Sequence, residues 1–175
     1  EQELYSIQQH QHYLEPSVQF LYEMGFITCP HSMELTHDSL TLKGVLATEV
    51  NEGHALLMTE LYVQERLHHL TGNELVAVLS SFQEKKETED SPSIQELRVS
   101  SAVRDALLSL NTMSSDYQMR EEAYGLRMEG YWKLSTQLVE PMLRWMEGEH
   151  ASVICAEYDI FEGNFIRSVM KMANM

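Results

Sequence analysis

The chain predicts an all-α fold, a helical bundle with a short irregular or hairpin segment near residues 26–44. Apolar residues recur at three- and four-residue spacing over most of the 175 positions, as the buried stripe of an amphipathic helix requires. Sustained two-residue alternation, the mark of a half-buried strand, is confined to Ser39–Gly44. Cap and turn residues also fall between the periodic stretches, which divides them into helices of ordinary length.

The first helix is predicted from Leu4 to Met24 through Leu14, Val18, Leu21 and Met24, with Gly25 at the position where a left-handed residue commonly ends a helix. Phe26–His37 carries Pro30 and scattered polar residues, and Ser39–Gly44 reads as a short strand or an extended entry into the next helix. Gly53–Leu70 follows as a helix through Ala55, Leu56, Met58, Leu61 and Tyr62. Thr71 and Glu74 form a capping-box pair for the helix after it. Residues 85–91 are the most hydrophilic stretch and read as a solvated connector, closed by Ser91 as a cap with Pro92 in the first helical turn. A long helix is expected from Pro92 through Leu97, Val103, Leu107 and Leu110, with a polar break at Thr112–Asp116. Another is expected from Tyr131 to Gly148, bent at Pro141. A short helix at Ala151–Ala156 then leads to a final one opened by Asp159 as cap, with Glu162 completing its capping box.

That final helix carries the sharpest chemical pattern. Asn164, Arg167, Lys171 and Asn174 recur on one side, and Ile166, Val169, Met170 and Ala173 make an apolar stripe expected to bury. No acid follows Glu162, whereas residues 1–158 hold twenty-five of the twenty-seven Asp and Glu and ten of the twelve Lys and Arg. Net charge is −15 and the pI near 4.8, which argues against broad electrostatic adhesion to nucleic acid or to an anionic membrane. Any nucleic-acid contact is therefore local. No apolar run reaches the length of a membrane span. Two widely separated cysteines, Cys29 and Cys155, point to a reducing, intracellular setting, with nucleus and cytoplasm not distinguished.

Several chemistries lack their sequence signals. There is no GxxxxGK[ST] loop, no GxGxxG after a strand and no HExxH helix. His10 with His12, Cys29 with His31, and His68 with His69 are isolated pairs without the second pair a zinc site needs, so they read as solvated or packed side chains. No catalytic, cofactor-binding or metal-ligating residue is assigned. The eleven Met residues read mainly as core fillers.

Motifs in a fixed order carry a family resemblance. They are Leu40-Thr41-Leu42-Lys43-Gly44 with Leu57-Met58-Thr59-Glu60-Leu61, then Leu79-Ser80-Ser81-Phe82-Gln83-Glu84, then Trp145 and Gly148, Ile154-Cys155, Asp159, Phe161-Glu162-Gly163 and Ile166-Arg167. Together they resemble the C-terminal helical domain, called DSHCT, of the exosome-associated Ski-like superfamily 2 RNA helicases. Leu14–Ile27 is similar to the segment that leads out of that family's winged-helix domain. The resemblance implies residues 1–50 as a connector helix and loop, and 51–175 as the bundle, truncated at its C-terminal end and cut from a longer polypeptide. It implies a final "ratchet" helix along which single-stranded RNA passes, with Glu84, Arg167 and Lys171 against the RNA and Asn164 on the same stripe. Lys171 stands where relatives usually carry Arg, which favours phosphate attraction over base stacking. Ala151 replaces a common aromatic, a change of core packing.

By the same resemblance the parent polypeptide is an ATP-dependent RNA helicase, with ATP and Mg held by RecA-like motor domains and with the RNA exosome or adaptor proteins as partners. The fragment then acts as an auxiliary RNA-gripping domain without catalysis of its own. The alternative is an acidic helical module that binds protein or serves as structure without touching RNA.

Overall fold

The computed structural model describes residues 2–83, 91–126 and 131–175, with side chains described from Tyr13 onward. Among these residues lie eight α-helices and no β-ladder beyond a single antiparallel bridge between Ile27 and Leu40. The helices are α1 (Gln2–Glu23), α2 (Leu42–Thr48), α3 (Ala55–Val63), α4 (Gly72–Leu79), α5 (Ser101–Ala123), α6 (Val139–Met146), α7 (Ala151–Glu157) and α8 (Glu162–Met172). None of the described helices is long and apolar enough to cross a membrane. The all-α expectation holds.

The chain forms two compact units, Glu1–Glu49 with Ser114–Trp132, and Val50–Met113 with Lys133–Met175. In the first, Gly25 at φ +78° ends α1 as expected, its N–H bonding Tyr22 O and that of Phe26 bonding Leu21 O. The chain then passes through two single 3-10 turns, Ser32–Glu34 and His37–Ser39, between the bridged Ile27 and Leu40, and is extended at Leu40 and Thr41. It becomes helical at Leu42, so the strand reading of Ser39–Gly44 fails and the extended-entry reading stands. Thr41 caps α2 by accepting from the Gly44 N–H at 3.0 Å. A Cβ on Gly44 would meet the Phe26 carbonyl oxygen at 2.1 Å, so this close backbone approach admits only glycine. Phe20, Tyr117 and Trp132 form the aromatic centre of the unit, with ring centroids 5.3–6.2 Å apart. The Trp132 indole N–H donates to the buried Glu121 carboxylate.

In the second unit, α4 packs on α6, α6 on α7 and α7 on α8. Leu57, Leu61, Val78, Val103, Leu107, Leu110, Val139, Met142, Ile154 and Phe165 are fully enclosed. The Thr71–Glu74 capping box forms as expected. Three boundaries differ from the sequence reading, the first for a local reason and the other two for tertiary ones. First, α3 stops at Val63 instead of Leu70, because Glu65 turns left-handed at φ +55° and the Arg66 N–H closes onto Leu61 O. Second, residues 92–100 are not helical. The Arg104 guanidinium donates to the carbonyls of Ile94, Gln95 and Leu97, and α5 begins only after Ser100, whose Oγ accepts from the Val103 N–H. The polar break at Thr112–Asp116 is absent, since Thr112 Oγ1 donates back to Leu108 O and Ser114 Oγ to Trp132 O without opening the helix. Third, residues 131–138 are not helical and are held by Ser135 N–H to Ser81 O and Thr136 Oγ1 to Pro92 O. Pro141 therefore sits in the first turn of α6, where its missing N–H costs nothing, and bends no helix. The hydrophilic connector expected at 85–91 lies, except for Ser91, outside the described residues.

Candidate nucleic-acid interface

The α8 helix begins differently from its sequence signature. Asp159 takes φ +52° and closes α7, with the Ile160 N–H bonding Cys155 O at 3.0 Å. Phe161 becomes the N-cap without a side-chain cap bond, and Glu162 starts the helix. The expected Asp159–Glu162 capping box does not form, because Asp159 is spent on ending the helix before. Glu162 still favours this end through the helix dipole.

The buried line of α8 is Phe165–Val169–Met172 rather than the expected Ile166–Val169–Met170–Ala173. Phe165 is 0% exposed and packs with Met142, Ile154 and Cys155, with Val169 and Met172 against the same cluster. An aromatic ring carries more apolar area than Ile or Met, so the helix rotates to enclose it. Ile166 and Met170 consequently lie 48% and 65% exposed, and Ala173 is exposed with them. Burial, with the Glu162 carboxylate second, pushes the Cys155 thiol up, leaving it a packed protonated group.

Of the predicted site residues, Arg167 is exposed, while Asn164 and Lys171 are half-buried. The three occupy one side of α8, and Arg167 and Lys171 make no ion pair with any described residue. That sets them apart from Arg120, paired with Asp116 and Glu23, and from Arg144, paired with Glu149 and Glu157. Glu84 lies outside the described residues. The preceding Gln83 is buried, with Nε2 3.5 Å from Met172 Sδ, so the chain at residue 83 runs beside the last turn of α8.

Arg144 was not singled out from sequence. It holds Glu149 at 2.5 and 2.6 Å and Glu157 at 2.6 Å, and its guanidinium lies 5.6 Å from the Tyr158 ring centroid. These contacts tie α6 to both ends of α7, which feeds directly into α8. The only sequence signal was its place immediately before Trp145, which opens one of the family motifs. In the same unit a groove of about 790 Å³ is lined by Arg66, His69, Glu65 and Asp105 among others. Its lining mixes Arg66 and His69 with Glu65 and Asp105, so it carries no charge of one sign. Among the described residues no three of His, Cys, Asp and Glu converge as metal ligands.

Comparison with known proteins supports the family resemblance. The chain is 27% identical over 160 residues to ATP-dependent RNA helicase mtr4 of Schizosaccharomyces pombe, covering 89% of this chain and 13% of that protein. It is 24% identical over 133 residues to DExH-box ATP-dependent RNA helicase DExH11 of Arabidopsis thaliana, covering 75% and 10%. It is 22% identical over 159 residues to Exosome RNA helicase MTR4 of Homo sapiens, covering 89% and 14%. The chain thus spans between a tenth and a seventh of these relatives. The model of the DSHCT (NUC185) domain matches residues 37–175, from the turn before α2 through the end of α8, and the chain belongs to that family.

Proposed function

We propose that this chain is the auxiliary RNA-gripping domain of an ATP-dependent RNA helicase that serves exosome-linked RNA processing or decay. The observation that carries this reading is α8. It is anchored by one enclosed aromatic, holds no acid beyond Glu162, and presents Arg167 and Lys171 without a carboxylate partner among the described residues, in a chain of net charge −15. Unpaired cations on a packed helix attract phosphates at fixed positions, whereas broad adhesion is suppressed by the surrounding acids. Asn164 supplies an amide on the same side, and Glu84 an acceptor for base amino groups or ribose hydroxyls. The chain performs no chemistry in this reading. ATP and Mg belong to RecA-like motor domains of the same polypeptide, a winged-helix region precedes residues 1–50, and residues 51–175 form the bundle. The exosome or its adaptors are the partners. Two cysteines without a disulfide, Cys29 and Cys155, fit a reducing intracellular compartment.

The test is Arg167→Ala with Lys171→Ala in the full-length polypeptide. Unwinding should fall more than ATP hydrolysis measured without RNA, and the salt dependence of single-strand binding should flatten by about 0.7 per lost phosphate contact, roughly 1.4 in all. Equal loss of unwinding and RNA-free hydrolysis removes the gripping role. The net charge favours a second reading, an acidic module docked to a basic protein. It predicts that the double variant leaves the salt slope unchanged.

A further inference from the structure

The α7 helix delivers α8, and apolar packing alone holds it loosely. It is seven residues long and buries only two side chains, the adjacent Ile154 and Cys155. Neighbouring anchors make a pivot about which a short helix can rock, and apolar contact is non-directional. Polar contacts supply the direction. On α6, Glu140 and Arg144 stand one turn apart on one face. Arg144 takes both oxygens of Glu149, which precedes the His150 N-cap of α7, and one oxygen of Glu157, the last residue of that helix. The side chains of Arg144 and Glu149 are only 28% and 29% exposed, so this two-bond pair is not the loose surface kind that contributes little. Tyr158, the C-cap of α7, is held twice, with its ring beside the Arg144 guanidinium and its hydroxyl donating to Glu140 Oε2 at 2.8 Å. Glu140 is fixed in turn by the Arg98 N–H, which donates to its other oxygen at 2.6 Å. The N-cap of α8, Phe161, follows almost at once, so whatever orients Glu157 and Tyr158 orients the start of α8.

The cations of α8 sit far along that lever. Arg167 and Lys171 lie about 7 and about 13 Å beyond Glu162 at the helical rise of about 1.5 Å per residue. A tilt of about 10° where α7 meets α8 carries Lys171 through about 2 Å, well beyond the roughly 0.5 Å within which a binding constellation has to be held. Phe165, Val169 and Met172 keep α8 against α6 and α7 without fixing that angle. Building on the RNA-gripping reading, we infer that Arg144 is a positioning residue: with Glu149 and Glu157 it sets the direction of α7, and through it the places of Arg167 and Lys171, without touching RNA. The signs of the charges separate this role from a field effect. As charges alone, Glu149 and Glu157 oppose RNA binding in a chain already at −15, whereas as parts of the fixture they favour it.

The test measures affinity of the full-length polypeptide for a uridine oligonucleotide at low salt. Glu149→Ala with Glu157→Ala should weaken binding about threefold, a fraction of what one charged hydrogen bond is worth, although it removes two negative charges. Arg144→Met keeps the long stem, loses the guanidinium and should weaken binding by the same factor. The triple variant should be no weaker than either, because the three side chains act as one unit. Arg144→Lys keeps the charge but cannot give Glu149 two parallel bonds and reach Glu157 at once, so its affinity should fall between those of the parent and Arg144→Met. In a background of Arg167→Ala with Lys171→Ala none of these changes should move affinity, while any loss of melting temperature should match that in the parent background. Tighter or unchanged binding in the glutamate pair, full affinity in Arg144→Lys, or a penalty that persists without Arg167 and Lys171 overturns the inference. If Arg144→Met does not fold, the glutamate pair and Arg144→Lys decide by the same criteria. Failure of the inference alone leaves binding dependent on Arg167 and Lys171. Failure of the gripping reading shows as unchanged affinity when those two cations are removed.

Discussion

His54 shows how much one buried side chain can carry. It caps α3 by accepting from the Leu57 N–H, and burial pushes its imidazole from 6.5 down to about 4. A histidine whose folded value lies below its unfolded one stabilises the chain fully above the unfolded value. It loses that contribution as pH falls from about 6.5 toward about 4, because the unfolded chain takes the proton first. Protonation also removes the lone pair that caps the helix. His54→Asn keeps a cap acceptor and removes the titration. Its urea midpoint should therefore fall less than that of the parent chain between pH of about 7 and about 5. Glu121, which burial shifts upward, acts in the opposite direction but is common to both proteins, so the comparison isolates His54. Carboxylates held low by hydrogen bonds, such as Glu74 with Ser100 and Thr71, lose their contribution only below their ordinary value near 4.5. An equal pH dependence in the two chains would rule out His54 as its source.

At the scale of elements, two helices end on left-handed residues other than glycine, α3 at Glu65 and α7 at Asp159. Both close their helices with the bond pattern that glycine usually serves; Glu65 was therefore illegible as a stop, and Asp159 was read as a cap for the next helix although the end of α7 was expected within one residue. A left-handed L-residue costs about 1–2 kcal/mol, less for Asp, whose short polar side chain tolerates that conformation. Glu65→Gly should consequently raise stability by about 0.5–1 kcal/mol after the entropy of a more flexible unfolded chain is subtracted, and Asp159→Gly by less. Denaturant unfolding measures both. A loss of about 1 kcal/mol in Asp159→Gly would instead restore Asp159 to the role of a cap for α8, which its geometry denies.

Across the whole molecule, twenty-seven acids oppose twelve Lys and Arg, so the chain repels itself at neutral pH. Screening should act with opposite signs on folding and on binding. Raising salt from about 50 to about 200 mM should raise the melting temperature of the chain, while single-strand affinity of the full-length polypeptide falls. Melting that is insensitive to salt would show that the acids are spread too widely to matter.

What could be read without coordinates were the features set by local spacing. The all-α class, the Gly25 stop, the Thr71–Glu74 box, the α7 segment and the cationic stripe at Asn164, Arg167 and Lys171 each depend on residues within a few positions of one another. The DSHCT family was legible for the same reason, since its motifs are short and ordered. Tertiary structure decided the rest. Arg104 captures carbonyls that a helix at 92–100 would have used, and Ser114 bonds Trp132 O where a break was expected. Phe165 turned α8 so that Ile166 and Met170 face outward. A stripe of apolar residues states only that some face will bury. Which face does so depends on the cavity offered by Met142, Ile154 and Cys155, and that cavity is assembled from residues distant in the chain.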